Sequence, residues 1–117
     1  MKAHWNSIAA AALLIVSAAH ARADEALAKK SGCLECHSID KNANNQSIDR
    51  KPIGPAFHDI AAKYQDMVRA RTALIETVKK GGKGNWTAVT GGTTMPPYSP
   101  RLSDAEINRL VDWVLGL

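Results

Sequence analysis

Cys33-Leu34-Glu35-Cys36-His37 is the stretch that decides how this chain of 117 residues is read. Cys33 and Cys36 are its only cysteines, and a histidine follows the second directly. Two cysteines cannot frame a disulfide-rich scaffold. A structural zinc site needs four ligands, yet beyond residue 23 the only histidines are His37 and His58, and Cys36 and His37 are adjacent. A thioredoxin-like dithiol belongs in a βαβ setting, and no stretch here alternates convincingly with period two. The reading these residues favour is C-x-x-C-H, the signature of c-type haem attachment. Two thiols at that spacing can add to the two vinyl groups on one edge of the porphyrin, and His37 then lies under the iron as proximal ligand.

Upstream of this motif the chain opens like an export signal. Lys2 gives a positive start, residues 8–16 are an unbroken apolar run, and Ala21-Arg22-Ala23 is an A-x-A cleavage site. The run is shorter than the roughly 20 apolar residues of a transmembrane helix. The expectation is therefore a cleavable signal over residues 1–23, with an uncleaved membrane anchor as the alternative, and a mature domain over residues 24–117, exported to the periplasm and with no stable membrane insertion after cleavage. Removing Lys2 and Arg22 with the signal leaves 13 basic against 11 acidic residues, a net charge of +2. A nucleic-acid binder would show a denser basic patch, so nucleic acid is not an expected partner.

Sixteen of the first 23 residues are hydrophobic, against 37 of the remaining 94, and ten of those 37 are alanine. So small an apolar complement makes a domain of this length marginal without a staple or cofactor. A covalently held haem would supply the missing core.

Downstream, the periodicity is helical throughout. Residues 24–30 make a short helix with acids first and lysines last, as the helix dipole favours. Phe57, Ile60, Ala61 and Tyr64 fall on one helical face. Residues 71–80 point Leu74, Ile75 and Val78 inward, with Gly81 as the stop. Ser103-Asp104-Ala105-Glu106 fits a capping box, and Ile107, Leu110, Val111 and Val114 follow as a stripe broadened by Trp113 and Leu117. The fold class is all-α. Residues 38–55 and 82–102 remain as long irregular stretches, which are uncommon in a compact domain unless they serve a function. The second combines Gly82, Gly84, Gly91 and Gly92 with Pro96, Pro97 and Pro100, as a loop wrapped around an object would.

Taken together, these features resemble a class I cytochrome c of the small bacterial monohaem electron-carrier type, over essentially all of residues 24–117. The resemblance is carried by Gly32-Cys33, C-x-x-C-H, Ile53-Gly54-Pro55-Ala56-Phe57, Gly84-Asn85-Trp86, Met95-Pro96-Pro97 and a C-terminal helix with Trp113. It implies a small cytochrome c fold, about four helices wrapped around one covalently attached haem c. It makes Met95 the axial ligand on the face opposite His37, and Met/His ligation raises the reduction potential. Met67 and His58 are the other candidates; Met67 reads as core or surface, and His58 as solvated. The resemblance also gives Pro55 a carbonyl that accepts from His37, Gly54 a close approach to that ring, and Trp86 a place beside the haem propionates. Gly32 and Trp113 are expected where the first and last helices cross, the glycine making room for the indole.

The chain departs from this pattern in several places. Residues 42–46 read as a polar insertion, and residues 87–94 extend the segment between Trp86 and Met95. Thr77 stands where several relatives carry an arginine for the propionates, and Tyr98 stands where they carry an asparagine. No catalytic constellation is present, so the chain is not read as an enzyme. The expected function is one-electron transfer between redox donor and acceptor proteins, the haem iron cycling between Fe(II) and Fe(III) with both axial positions filled. A dedicated cytochrome subunit of an exported dehydrogenase is the alternative, followed by a haem enzyme or gas sensor with an open iron position. Lys79, Lys80 and Lys83 are expected near the rim where a partner docks.

Overall fold

Ser103 and Glu106 close the capping box that the sequence announces, and with it the last helix of the fold. The Glu106 N–H donates to Ser103 Oγ at 3.2 Å, and the Ser103 N–H donates back to Glu106 Oε2 at 2.8 Å. The protein, described by a computed structural model over residues 5–41 and 52–117 with side chains from residue 17 onward, is helical. Its helices are α1 (Trp5–Lys30), α2 (Phe57–Tyr64), α3 (Ala70–Lys80), α4 (Thr87–Thr90) and α5 (Asp104–Leu115), with a 3₁₀ turn at Cys33–Glu35. Among the described residues there is no strand, only an isolated antiparallel bridge between Gly82 and Met95. The polar insertion at residues 42–46 and the side chains of the apolar run at residues 8–16 lie outside this description.

Where α1 begins differs from the expected start at residue 24. The helix runs back to Trp5, because the alanine-rich stretch before Asp24 favours helix and contains no glycine or proline to stop it. At its other end Gly32 turns left-handed, with φ of 81°. A Cβ on Gly32 would meet no atom within 4 Å, so this glycine makes no room for Trp113, contrary to expectation. It serves the helix end, where a left-handed residue lets the chain turn away. Trp113 instead packs edge-on to Phe57, with ring centroids 5.5 Å apart.

α5 is the hub. It packs against α1, α2 and α3, burying the Ile107, Leu110, Val111 and Val114 stripe. Ala28 of α1 and Ile107 of α5 are both completely buried. Ion pairs also tie α5 to its neighbours at the surface, among them Arg71 to Asp112 of α5, and Arg109 of α5 to Asp24 at 2.7 Å. The Arg71 pair is bidentate and holds the Asp112 carboxyl below the usual carboxylate range, chiefly through its hydrogen bonds. Such exposed pairs contribute little to stability; the apolar stripe contributes most.

α2 is as the sequence reads, with Phe57, Ile60, Ala61 and Tyr64 buried. Its first-turn amides find partners outside the helix. The Phe57 N–H donates to the Ser38 carbonyl at 2.8 Å and the His58 N–H to the Ile39 carbonyl at 3.1 Å. These bonds dock the residues after His37 onto the start of α2. In α3, Leu74 and Val78 are only half-buried, because both border a cleft, Leu74 packing against the buried cluster as well. α4 is one turn long and was not expected; Thr-Ala-Val-Thr is too short to show a period. Thr87 Oγ1 donates to the Gly84 carbonyl, and Thr90 Oγ1 to the Trp86 carbonyl.

Because α5 touches three other helices, its cap bears on the whole fold. Ser103→Ala should cost about 1 kcal/mol, the usual worth of an N-cap hydroxyl. Denaturant unfolding of the haem-loaded protein checks this; the midpoint should fall while the slope stays constant.

Candidate haem site

The cleft faced by α3 is built from the C-x-x-C-H turn outward. The 3₁₀ turn is closed by the Cys36 and His37 amides, which both donate to the Cys33 carbonyl, at 3.2 and 2.9 Å. This places Cys33, Cys36 and His37 on the lining of one cleft. Both thiols are free and half-buried, and burial pushes the Cys33 thiol up from its ordinary value, with the nearby Cys36 adding to the effect.

His37 is fixed on several sides. Its Nδ1 donates to the Pro55 carbonyl at 2.7 Å, which leaves Nε2 as the nitrogen with a free lone pair. Phe57 stacks on the ring at 5.0 Å between centroids, with planes 22° apart. Burial holds the imidazole below its ordinary pKa, although the Pro55 bond works the other way, so the ring is neutral near pH 7 and able to ligate a metal. The backbone at Gly54 lies against this ring: a Cβ there would sit 2.7 Å from Cε1 and 2.8 Å from Nδ1. The Gly54 N–H is itself held by the Cys36 carbonyl at 2.8 Å, so the ring, and not the backbone, would have to move. Gly54→Ala should therefore displace His37 at a cost of about 1–3 kcal/mol, read as a lower thermal midpoint together with an altered visible spectrum and a lower reduction potential.

Met95 reaches the same cleft from the segment after α3. Its N–H donates to the Gly82 carbonyl at 2.8 Å, and the Gly82 N–H returns to the Met95 carbonyl at 3.1 Å. Gly81, with φ of 77°, permits this approach; a Cβ there would lie 2.5 Å from the Met95 carbonyl oxygen. Past the two prolines, the Tyr98 N–H donates to the Val78 carbonyl at 3.0 Å, pinning the chain again to α3. Trp86 also lines the cleft and is half-buried. Much of the remaining wall is apolar, from Ile60 and Tyr64 of α2, Leu74 and Val78 of α3, and Leu110, Trp113 and Val114 of α5.

Two thiols, a neutral imidazole with its outer nitrogen engaged, and a thioether thus border one apolar cleft. That donor set fits haem c, with apolar walls for the macrocycle and soft or imidazole donors for iron. The other candidates fall elsewhere. His58 pairs with Asp40 at 3.1 Å and lines a separate small cavity with Gln65 and Leu117. Met67 is 52% exposed in the turn between α2 and α3, away from the cleft.

Other neighbours of the cleft carry less sequence signal. Thr77 and Tyr98, noted only as departures from a pattern, both line it, as does the half-exposed Ile53. The Tyr98 ring carries the Arg101 guanidinium 4.7 Å above its centroid, and burial pushes the Tyr98 hydroxyl pKa up. Of the three lysines expected at a rim, only Lys83 lines the cleft. Lys79 pairs with Asp104 at 2.9 Å and Lys80 with Glu76 at 2.5 Å. Both therefore finish α3, where the dipole favours cations.

Comparison with known proteins agrees with this geometry. Residues 23–117 match the cytochrome c family model. Cytochrome c-552 of Nitrosomonas europaea is 41% identical over 117 residues, covering all of this chain and 99% of the relative. Cytochrome c-551 of Pseudomonas aeruginosa is 36% identical over 110 residues, 94% of this chain and 91% of the relative. The crystal structure of wild-type Nitrosomonas europaea cytochrome c552 superposes with a TM-score of 0.62 at 40% identity, covering 80% of this chain and 98% of that one. These relatives are electron carriers and not enzymes, and the family carries one covalent haem c, whose attachment motif Cys33 and Cys36 fit. With its helices, its C-x-x-C-H cleft and these relatives in agreement, the chain belongs to the cytochrome c family, among the small class I monohaem electron carriers.

Proposed function

We propose that this chain is a periplasmic one-electron carrier that exchanges electrons with redox donor and acceptor proteins through a haem held by His37 and Met95. The observation that carries the reading is the convergence of Cys33, Cys36, His37 and Met95 on one apolar cleft. Bound there, haem c supplies a one-electron Fe(II)/Fe(III) couple of raised potential under Met/His ligation. Cys33 and Cys36 would hold the haem through thioether bonds to its vinyl groups. His37 would hold the iron through Nε2, with its ring orientation set by the Nδ1–H bond to the Pro55 carbonyl. Met95 would hold the iron through its thioether, its backbone kept in place by the Gly82 bridge and by the Tyr98 bond to α3. Trp86 lines the cleft, and its indole N–H would be a donor for a haem propionate. The apolar walls would keep water from the bound group.

Residues 1–23 act as the cleaved export signal and residues 24–117 as the carrier domain. In support, the family match begins at residue 23, and four-fifths of this chain matches nearly all of the solved relative. Among the described residues no helix is long and apolar enough to cross a membrane.

Carbon monoxide tests the ligation. The native ferrous protein should leave added carbon monoxide unbound, because His37 and Met95 together would leave the iron no open position. An immediate carbon monoxide spectrum without denaturation would mean an open iron position, and with it a ligand-binding function in place of simple carriage.

A further inference from the structure

We propose that Lys63 is a positioning residue: its ammonium tethers the Trp86 side of the loop at residues 82–95 to α2 and so limits water entry at that end of the cleft. The inference rests on the reading of the cleft as the haem site. The loop closes on itself at its ends, where Gly82 and Met95 exchange backbone hydrogen bonds in both directions. Compact surface loops of this kind depend on their own side chains for packing, yet Thr90 is the only buried residue between those ends. The threonine hydroxyl bonds of Thr87, Thr90 and Thr93 all stay within the loop. They shape α4 but hold it to nothing else.

Lys63 reaches in from outside. Its Nζ donates to the Asn85 carbonyl at 2.9 Å and lies 4.4 Å from the centroid of the Trp86 ring. It is also 5.8 Å from the ring of Tyr64, a buried cleft neighbour on the same helix. A charged donor makes a stronger hydrogen bond than a neutral one, and indole is the best aromatic partner for a cation. One ammonium therefore engages both the backbone before Trp86 and the face of its ring. The helix that supplies it also supplies Phe57, the ring stacked on His37, so the tether sets the loop relative to the wall that frames the proximal histidine. Nothing in the periodicity of α2 marks Lys63, which falls on the exposed face.

The test uses the haem-loaded protein carrying Lys63→Met, which keeps the apolar stem and loses the charge and donor. Lys63→Arg serves as the conservative variant, and Lys80→Met, at the Glu76 pair on α3, as the control. Hydrogen exchange by NMR reads the indole N–H of Trp86 and the amide of Val89, with the indole N–H of Trp113 as reference. In Lys63→Met, Trp86 and Val89 should exchange faster by about tenfold, the scale of one lost charged hydrogen bond, while Trp113 stays within about twofold. The reduction potential should fall, since water at the cleft favours the more highly charged ferric state. Lys63→Arg should restore both readouts, and Lys80→Met should move neither. Exchange at Trp86 within about twofold of wild type in Lys63→Met would overturn the proposal. An equal acceleration at Trp113 would overturn it too, by showing general destabilisation. Carbon monoxide binding by the native ferrous protein would sink the axial ligation separately, leaving the exchange ratios to decide the tether.

Discussion

Met95→Ala should open the iron to carbon monoxide, lower the reduction potential and remove the spectroscopic features of sulfur ligation. Axial ligands set haem potentials over a range of about 0.8 V, so losing a thioether should shift this one by on the order of 0.1 V or more. Met95 is presented to the cleft by its backbone, through the reciprocal bonds with Gly82. Truncating its side chain therefore leaves the loop closed and removes only the donor. The fold should survive, which separates a ligand effect from unfolding; far-ultraviolet circular dichroism should be unchanged at 25 °C. Met67→Ala and His58→Ala make the comparison sharp. Met67 is half-exposed in a turn, and His58 is turned toward Asp40, so neither replacement should alter the spectrum or the potential. An unaltered spectrum and potential in Met95→Ala would remove Met95 from the iron.

The parts of the fold legible in the sequence are those governed by short-range rules. The Ser103–Glu106 box works within one turn of backbone, and the Phe57-Ile60-Ala61-Tyr64 face by helical periodicity; both stand in the structure as written in the chain. The cysteine spacing is similarly local, since the 3₁₀ turn that presents Cys33 and Cys36 needs only the residues between them. Long-range relations were less legible. A glycine beside a motif can signify space or a left-handed turn, and only the empty surroundings of Gly32 decide for the turn. Leu74 and Val78 read as inward-facing because periodicity gives a face without saying what lies opposite; Leu74 meets both the buried cluster and the cleft, and Val78 the cleft. Lys79 reads as part of a rim because its acidic partner, Asp104, is assigned only once α3 and α5 are placed, whereas the Glu76 partner of Lys80 lies four residues back on the same helix. Gly81 was legible as a helix stop, but its second use, admitting the Met95 carbonyl, depends on a chain segment well beyond it in sequence.

Replacing both Cys33 and Cys36 with Ala should have the largest effect of all, because it removes attachment and core together. The buried cluster formed by Phe57, Ile60, Tyr64, Ala70 and Val114 is small, and Leu74, Trp86 and Trp113 are only partly buried against it. Without haem, the apolar walls around these residues face water. Covalent attachment makes cofactor loss impossible short of bond cleavage; noncovalent haem stabilises only according to its concentration and affinity. If the weakened state lost about 3 kcal/mol, the melting midpoint of a domain this size would fall by roughly 12–24 °C, at about 4–8 °C per kcal/mol. Each single replacement should leave one thioether, and so a smaller yield of attached haem with a lower midpoint. The Gly54 and Pro55 environment of His37 is untouched in all three variants, so any added haem that rebinds noncovalently should still find an imidazole. A denaturing gel stained for haem, with intact mass on the same samples, separates the cases. Wild type should keep its haem through denaturation, each single variant should keep it in part, and the double variant should release all of it. Haem that stays with the double variant through denaturation would mean attachment at some other side chain, and would overturn the thioether assignment at Cys33 and Cys36.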